Sequence, residues 1–407
     1  MDTLKPLCTL PFKSVILDVW QDDKCKQFHP CHHITKNIDD DHCPIHGMPN
    51  PLNWNEQSYK LNPKEVLSHP IYKKLQEDMS NGVRNKACQV CWDMDDNLIN
   101  HDDNHNSKKS YRLDLKPIER DTDGLIVSIF CDNVCNMACR MCTPVASNRF
   151  QKDLEVLKIS DLENVTDNFF NTNIKTNATS SSQWKWIKNN SDEIEALSLA
   201  GGEPLFNKKV IELLHAISKN INLGLTTNGS MFTTKNCELL NEFKGLYVTL
   251  SIDSVYKNYD YIRYPYKFDK LEISIKRFLS LCSNIKDLQI NVVVSSLNIL
   301  EMKSFLEWSS DFHDIHFSEV FPPKRGIGIR NLPLSILEKA YFDIEQIKTR
   351  NAHKLKDLIN NTIEKIETNS SKMLKEITLF DESRNQDYRK FLNPVLVNWL
   401  DEQYCNN

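Results

Sequence analysis

The segment FCDNVCNMACRMC, residues 130–142, places four cysteines within twelve positions. Three of them, Cys135, Cys139 and Cys142, form a C-x3-C-x2-C pattern shortly after the apolar run LIVSIF. Thiolates are the soft ligands that iron–sulfur clusters require, and a short loop can wrap three of them around one cluster. A zinc site needs a fourth ligand, which Cys131 would supply on paper. The spacing alone favours a cluster and leaves zinc open.

The overall composition is that of a globular protein without a strong charge bias. The 407 residues are 40% hydrophobic and 26% charged, with a formal net charge of −5. This balance argues against nucleic acid or an anionic membrane as the main partner. No run approaches the ~20 apolar residues of a membrane span, and no signal-peptide pattern is visible. We therefore expect a cytoplasmic protein, in which 13 reduced cysteines point to metal rather than disulfides.

Six short apolar runs alternate with longer amphipathic stretches after residue 124. They cover residues 125–130, 196–202, 222–229, 247–253, 288–294 and 314–320. Strands that alternate with helical patterns are typical of βαβ units and a parallel sheet. The pattern favours an α/β fold with a partial (β/α)6 barrel of the TIM type over an open sheet, although periodicity alone does not decide between them.

The two ends of the chain differ from this middle part. Residues 1–112 are loop-like and hold six cysteines and eight of the twelve histidines. Residues 334–407 lack strand patterns and are amphipathic and helical, with a polar break near 368–372. We predict a small Cys-rich N-terminal domain over 1–112, the barrel over 113–325 and a helical C-terminal extension over 326–407.

Two adjacent glycines end the second predicted strand. Only 10 of the 407 residues are glycine, and Gly201 and Gly202 stand together in LAGGEPLF. Such a pair lets the backbone approach a ligand closely or adopt a positive φ angle. An ordinary tight turn is the alternative.

The C-x3-C-x2-C after the first strand and the G-G-E-P after the second together resemble the radical S-adenosylmethionine (radical SAM) superfamily over residues 125–325. The resemblance implies that Cys135, Cys139 and Cys142 hold a [4Fe–4S] cluster whose fourth iron binds S-adenosylmethionine. One-electron reduction then yields a 5′-deoxyadenosyl radical, which abstracts a substrate hydrogen. Because Cys131 as a fourth ligand would close that iron, we expect it to be a buried packing residue.

The same resemblance implies a set of cofactor-binding residues at the carboxyl ends of the barrel strands. Those expected at the methionine part of the cofactor are Gly201, Gly202, Glu203 and Pro204. Ser251 and Asp253, in SID after the fourth strand, resemble the ribose-facing position. Arg263 is a candidate for the cofactor carboxylate, with a surface arginine as the alternative. Met141 stands where family members often have an aromatic residue near the adenine.

The N-terminal segment resembles the twitch module, a shortened SPASM domain of this superfamily. It shows CTLPF, PCHH, the amphipathic HPIYKKLQEDMSNG, CQVCW and SYR in the family's order. The resemblance implies an auxiliary [4Fe–4S] cluster held by Cys8, Cys31, Cys88 and Cys91, which would transfer electrons, anchor substrate or be structural. A zinc site that uses Cys25, Cys43 and neighbouring histidines remains an alternative.

These patterns predict a radical SAM oxidoreductase that acts on a C–H bond of a peptide, protein or small molecule. The preference for a peptide rests on analogy with the twitch and SPASM group. An external one-electron reductant such as flavodoxin or ferredoxin is implied. The alternatives are a nucleoside, sugar or metabolite substrate, or a non-catalytic iron–sulfur or zinc protein. Tyr256, Tyr261, Tyr264 and Asp253 are candidates for proton transfer or substrate binding, with a structural role as the alternative, and no general acid or base is identified.

Overall fold

One sheet organises the protein. The computed structural model describes residues 8–20, 25–30, 61–88, 92, 117–156, 178–320 and 325–405. Eight strands within these ranges form a single sheet in the order β2-β1-β3-β4-β5-β6-β7-β8. They are β1 Ser14–Trp20, β2 Cys25–His29, β3 Ile126–Phe130, β4 Ala196–Ala200, β5 Asn222–Thr227, β6 Gly245–Ser251, β7 Ile285–Val294 and β8 Asp314–Glu319.

Seven of these strands are parallel and form a half barrel of the TIM type. Every neighbouring pair from β1–β3 through β7–β8 is parallel, whereas β2 pairs antiparallel with β1. The six predicted strands are confirmed as β3 to β8. Their apolar runs are continuous because a parallel strand in an α/β fold is covered on both faces. In β3, for example, four consecutive residues are buried.

The N-terminal segment adds two strands, β1 and β2, that the sequence pattern did not predict. In β1, Val15 lies opposite Val127 and Leu17 opposite Ile129, so this strand extends the barrel sheet by one. The expectation of a loop-like N terminus is wrong here. The run is short and no recurring strand–helix pattern surrounds it, so its local sequence gave little sign of a strand. The domain division at residues 112 and 325 stays a prediction.

Helices connect and flank the strands. In the described ranges they are α1 Leu10–Lys13, α2 Pro63–Ser68, α3 Pro70–Ser80, α4 Pro117–Arg120, α5 Asn148–Val156, α6 Ser182–Asn189, α7 Lys208–Ala216, α8 Thr234–Leu240, α9 Tyr256–Ile262, α10 Phe268–Leu281, α11 Met302–Trp308, α12 Leu334–Glu345, α13 Arg350–Ile363, α14 Ser370–Arg384 and α15 Pro394–Cys405. Helix α7 begins after the N-cap Asn207, whose side chain accepts from the Lys209 N–H, and it buries Val210, Leu213 and Leu214. None of the helices in these ranges is long and apolar enough to cross a membrane.

The predicted helical nature of the C-terminal extension is confirmed. Helix α13 ends at Ile363 and α14 begins at Ser370, so the break covers residues 364–369. Helix α14 packs on α5, where the ring of Phe380 stacks on Phe150 with 5.4 Å between the centroids. Because α5 directly follows the cysteine loop in the chain, this contact brings the extension beside that loop.

Candidate active site

A cavity of about 250 Å³ lies at the carboxyl ends of the barrel strands. Its wall includes Cys135, Cys139 and Cys142 from the loop after β3. The ends of β4, β5, β6 and β7 and the loops after them contribute Gly201, Gly202, Thr227, Ser251, Asp253 and Val293. Arg263 also lines the cavity. Most of the residues that the sequence singled out in the barrel therefore meet in one cavity, where parallel α/β barrels place their chemistry.

The cysteine loop, residues 131–142, is held on two sides by backbone hydrogen bonds. On the β4 side, the Cys131 N–H donates to the Ala200 carbonyl at 2.6 Å, and the Glu203 N–H donates to the Val134 carbonyl at 2.9 Å. On the other side, the N–H groups of Ala138 and Arg140 donate to the carbonyls of residues 264 and 262, each at 2.8 Å. The loop is therefore fixed as a rigid backbone element rather than only by its side chains.

The glycine pair packs against this loop. A Cβ atom at Gly202 would lie 2.3 Å from the Val134 carbonyl oxygen, and one at Gly201 would lie 2.6 Å from that of Cys131. Gly201 also has a φ angle of +132°, which residues with a side chain rarely adopt. The close approach and the positive φ that the pair predicted are both present. The atoms approached belong to the cysteine loop itself, while the glycines also form part of the cavity wall.

Cys135 and Cys139 are buried, and Cys142 is half-buried. Burial raises the pKa of all three thiols, that of Cys142 to about 12. Buried thiols convert to thiolates only when positive charge lies beside them, as the iron of a cluster would supply. Within the described part of the chain, no three His, Cys, Asp or Glu side chains surround one metal-ion position. A cuboidal cluster binds each thiolate at a different iron, so this donor set fits a cluster better than a single zinc ion.

Cys131 lies apart from the other three. It directly follows β3, is 1% exposed and is absent from the cavity wall. Burial raises the pKa of its thiol strongly. This position accords with a packing role and leaves three sulfur donors for the cavity.

Arg263 and Asp253 form a buried pair in the cavity wall. The Nε of Arg263 lies 2.5 Å from Oδ2 of Asp253, whose Oδ1 accepts from the Val293 N–H at 2.9 Å. Arg263 is only 8% exposed, so the alternative of a surface arginine is wrong. Its Nη1 lies 3.8 Å from Sγ of Cys139 and donates to it. Arg263 therefore adds positive charge next to one of the predicted cluster ligands.

Glu203 and Pro204 are buried beside the cavity but are absent from its wall. The Glu203 carboxylate accepts from the Thr227 hydroxyl at 2.8 Å, the Asn228 N–H at 2.7 Å and the Leu205 N–H at 3.1 Å. Burial outweighs these bonds and raises its pKa to about 7. The carboxylate ties the end of β4 to the end of β5. Contact with the methionine part of a cofactor stays a prediction for these two residues.

Sequence reasoning missed a group of buried charges that lies against the cysteine loop from the side of α14. Arg140, between two of the cysteines, pairs with Asp381, and Arg325 pairs with Glu376. Tyr261 also belongs here, because its hydroxyl donates to Asp381 at 2.8 Å. No local pattern marks these residues, since each pair joins positions far apart in the chain.

The predicted auxiliary site is only partly visible. Cys8 is half-buried just before α1, and Cys88 is buried in the 3-10 turn Lys86–Cys88. The backbone of Cys25 lies in β2. The other predicted participants, Cys31, Cys43 and Cys91, lie outside the described residues, as does the SYR motif at 110–112. The auxiliary cluster and the zinc alternative both stay predictions.

A parallel half barrel with three cysteines at the carboxyl ends of its strands defines the class of this site. Residues 131–304 match the sequence profile of the Radical SAM superfamily. Proteins of this superfamily bind a [4Fe–4S] cluster and S-adenosylmethionine. No curated protein sequence matches this chain significantly.

Solved structures of similar fold have low sequence identity. Native anSMEcpe with bound AdoMet is 19% identical over 58% of this chain and 62% of its own, with a TM-score of 0.36. The same protein with bound AdoMet and Cp18Cys peptide is 17% identical over 54% and 58%, with a TM-score of 0.33. Streptococcus suis SuiB bound to S-adenosylmethionine is 14% identical over 70% and 60%, with a TM-score of 0.36. The match spans less than two thirds of each of these chains, and likenesses this weak carry no argument about the reaction.

Proposed function

We propose that this protein is a radical SAM oxidoreductase that abstracts hydrogen from a C–H bond of a peptide, protein or small-molecule substrate. A single observation carries the proposal. Cys135, Cys139 and Cys142 line one cavity together with Ser251 and the Asp253–Arg263 pair, while Cys131 lies outside it. Three soft donors without a fourth are what a cluster with one open iron requires.

The proposed roles follow from the position of each residue. The three cysteines would hold the [4Fe–4S] cluster, which when bound would supply the electron for reductive cleavage of S-adenosylmethionine. Arg263, oriented by Asp253, places a guanidinium beside Cys139 and at the cavity wall. A guanidinium presents several N–H donors in one plane, so a cofactor carboxylate can bind the donors that face the cavity.

The cavity floor and the adjoining strand ends would receive the rest of the cofactor. Ser251 ends β6 and Asp253 follows it; both line the cavity, and we assign them to the ribose. Gly201 and Gly202 expose backbone next to the cysteines, which suits the methionine end. Glu203 supports this surface by joining the ends of β4 and β5.

The substrate assignment rests on the resemblance to the twitch and SPASM group. We propose a peptide or protein substrate first and a small molecule second. Turnover needs an external one-electron reductant of the flavodoxin or ferredoxin type, and we place the reaction in the cytoplasm. The N-terminal residues 1–112 would add an auxiliary [4Fe–4S] cluster on Cys8, Cys31, Cys88 and Cys91, next to the barrel strand β1.

Cofactor cleavage tests the proposal directly. Protein reconstituted without oxygen and supplied with reductant should release 5′-deoxyadenosine from S-adenosylmethionine. Replacement of Cys135, Cys139 and Cys142 by alanine should abolish this release and remove one cluster's iron. Wild-type protein that binds a cluster at these cysteines yet never cleaves the cofactor would overturn the enzymatic proposal.

A further inference from the structure

Arg325 connects the C-terminal part of the chain to the cysteine loop. This residue follows β8, its side chain is 0% exposed, and it reaches two backbone carbonyls of the loop. Nη2 donates to the carbonyl of Arg140 at 2.6 Å, and Nη1 donates to that of Cys142 at 3.1 Å. Both carbonyls lie in the segment that carries the last cysteine, so this guanidinium sets the path of the backbone at Cys142.

Glu376 of helix α14 orients Arg325. Its Oε1 accepts from Nε of Arg325 at 3.1 Å and from Nη2 at 2.5 Å, and its side chain is 1% exposed. The backbone also approaches closely here, since a Cβ atom at Gly326 would lie 2.5 Å from the Lys372 carbonyl oxygen. The planar guanidinium is therefore fixed along one edge by the helix, while its other donors face the loop.

A second ion pair ties the same helix to the same loop. Arg140 extends from the loop itself, and its Nη2 donates to Asp381 of α14 and to Oε1 of Gln386 at 2.9 Å. Its Nε donates to the Tyr261 carbonyl at 3.2 Å, and its guanidinium lies 3.6 Å from the centre of the Tyr261 ring. Asp381 therefore holds the loop through the side chain of Arg140, and Arg325 holds it through two backbone carbonyls.

The arrangement is poorly suited to a purely stabilising role. Buried ion pairs lose hydration, and replacement by apolar side chains of similar volume is often neutral or stabilising. Here the two pairs bury four charged side chains, each 8% exposed or less. What they provide beyond packing is orientation: the donors of one guanidinium reach the two carbonyls that flank Met141. Groups that orient a metal ligand commonly change metal affinity by about 10–100-fold when they are altered.

We propose that helix α14 acts as a clamp, which means that it holds the cysteine loop in place. In this proposal Arg325 and Glu376 are positioning residues that fix Cys142 for cluster binding. This inference rests on the proposed function, because it assumes that Cys142 is a cluster ligand. It assigns a role to the C-terminal extension, which otherwise has no part in the cofactor site. The acidic residues of α14 act through the arginines and touch neither the cluster nor the substrate.

The experiment compares cluster retention in three full-length variants with that of the wild type. The double variant Arg325→Met/Glu376→Leu removes both charges without leaving one buried and unpaired. Arg325→Lys keeps the charge but loses the planar fork that spans two carbonyls. The control Arg330→Met/Glu319→Leu removes an ion pair of 2.9 Å, also in the C-terminal half, that makes no hydrogen bond or ion pair with the cysteine loop among the described residues.

The readouts are the rate at which an iron chelator removes the cluster from anaerobic protein, and the EPR spectrum of the reduced cluster. The iron of the triple Cys→Ala variant is subtracted, so that only the core cluster is counted. We expect both Arg325 variants to lose the core cluster at least about tenfold faster than wild type, with an altered EPR signal. The control should match wild type, and the thermal midpoint of the metal-free double variant should lie near that of metal-free wild type.

Each outcome bears on one of the two proposals. Wild-type loss rates and EPR spectra in Arg325→Lys, or in a folded double variant, would overturn the clamp while leaving the proposed function intact. Equal acceleration in the control would also overturn it, because any lost ion pair would then suffice. A wild-type protein whose total iron equals that of the triple Cys→Ala variant would instead refute the cluster site.

Discussion

The backbone N–H of Glu203 donates to the carbonyl of Val134 at 2.9 Å, which joins the G-G-E-P turn directly to the cysteine loop. The two motifs that characterise this chain are therefore one structural unit. In that unit, β3 and β4 continue their pairing beyond the strand ends and carry the cysteines to the cavity. Changes in either motif should therefore affect the other.

Gly202→Ala tests this unit. The added Cβ would lie 2.3 Å from the Val134 carbonyl oxygen, so the cysteine loop must move to accept it. We expect a loss of about 1–3 kcal/mol in unfolding free energy and a weaker core cluster. Gly82→Ala is the control for cluster content: a Cβ there meets nothing within 4 Å, so it should keep the cluster, although the φ of +70° means that the alanine itself lowers stability. A Gly202→Ala protein with wild-type cluster content would contradict the prediction; denaturant unfolding and iron analysis measure both effects.

Cys131→Ala separates packing from metal binding. Because Cys131 is buried and outside the cavity wall, its replacement should lower the free energy of unfolding by about 1 kcal/mol and leave the core cluster in place. Cys142→Ala is the matched comparison and should lose that cluster. Iron content and visible absorbance of both reconstituted variants provide the measurement. Loss of the cluster in Cys131→Ala alone would show that the wrong three cysteines were chosen.

Arg263→Lys tests the proposed carboxylate contact. A lysine keeps the positive charge, but it lacks the planar guanidinium whose separate N–H groups can bind Asp253 and a group in the cavity at the same time. We expect S-adenosylmethionine to bind about 10–100-fold more weakly, measured by calorimetry on cluster-containing protein. Arg277→Lys, whose parent side chain donates to the Phe232 carbonyl at 3.0 Å, is the control. Unchanged affinity in Arg263→Lys would remove Arg263 from the cofactor site.

Glu203 should make stability depend on pH. Its pKa is about 7 in the folded protein, above the ordinary 4.5, because burial disfavours the charged carboxylate. The native state therefore holds this proton more tightly than the unfolded state, and stability falls as pH rises from 4.5 to 7. The expected loss of unfolding free energy over this pH interval is about 3 kcal/mol.

Glu203→Gln, which cannot titrate, should remove most of that pH dependence. Urea unfolding of metal-free protein at a series of pH values across this interval gives the slope for each variant. The exposed Glu212→Gln controls for the loss of one charge. A Glu203→Gln protein with the wild-type slope would mean that another group causes the dependence.

Replacement of Cys8 and Cys88 tests the predicted auxiliary cluster of the N-terminal segment. Replacement of both by alanine should lower the iron content by about one cluster and leave 5′-deoxyadenosine formation from the core site measurable. Iron and zinc analysis of the reconstituted protein distinguishes the alternatives. Unchanged iron would contradict the auxiliary cluster, and stoichiometric zinc that survives the replacement would favour the separate zinc site.

The sequence by itself determined the barrel strands β3 to β8 and the helical C-terminal extension, and it named several of the residues that line the cavity. These features are local: apolar periodicity, cysteine spacing and a glycine pair are all visible within a few neighbouring residues. Strands β1 and β2 were missed because these short runs have no repeated strand–helix pattern around them. The cysteine pattern lies within the part of the chain that matches the Radical SAM profile.

Only the tertiary structure decided what each of these residues contacts. It separated Cys131 from the other three cysteines, directed the Glu203 carboxylate toward β5, and paired Arg263 with Asp253. It also brought Asp381 to Arg140 across 241 positions of the chain. Such contacts depend on how distant segments pack in three dimensions, and no local pattern of residues records that packing.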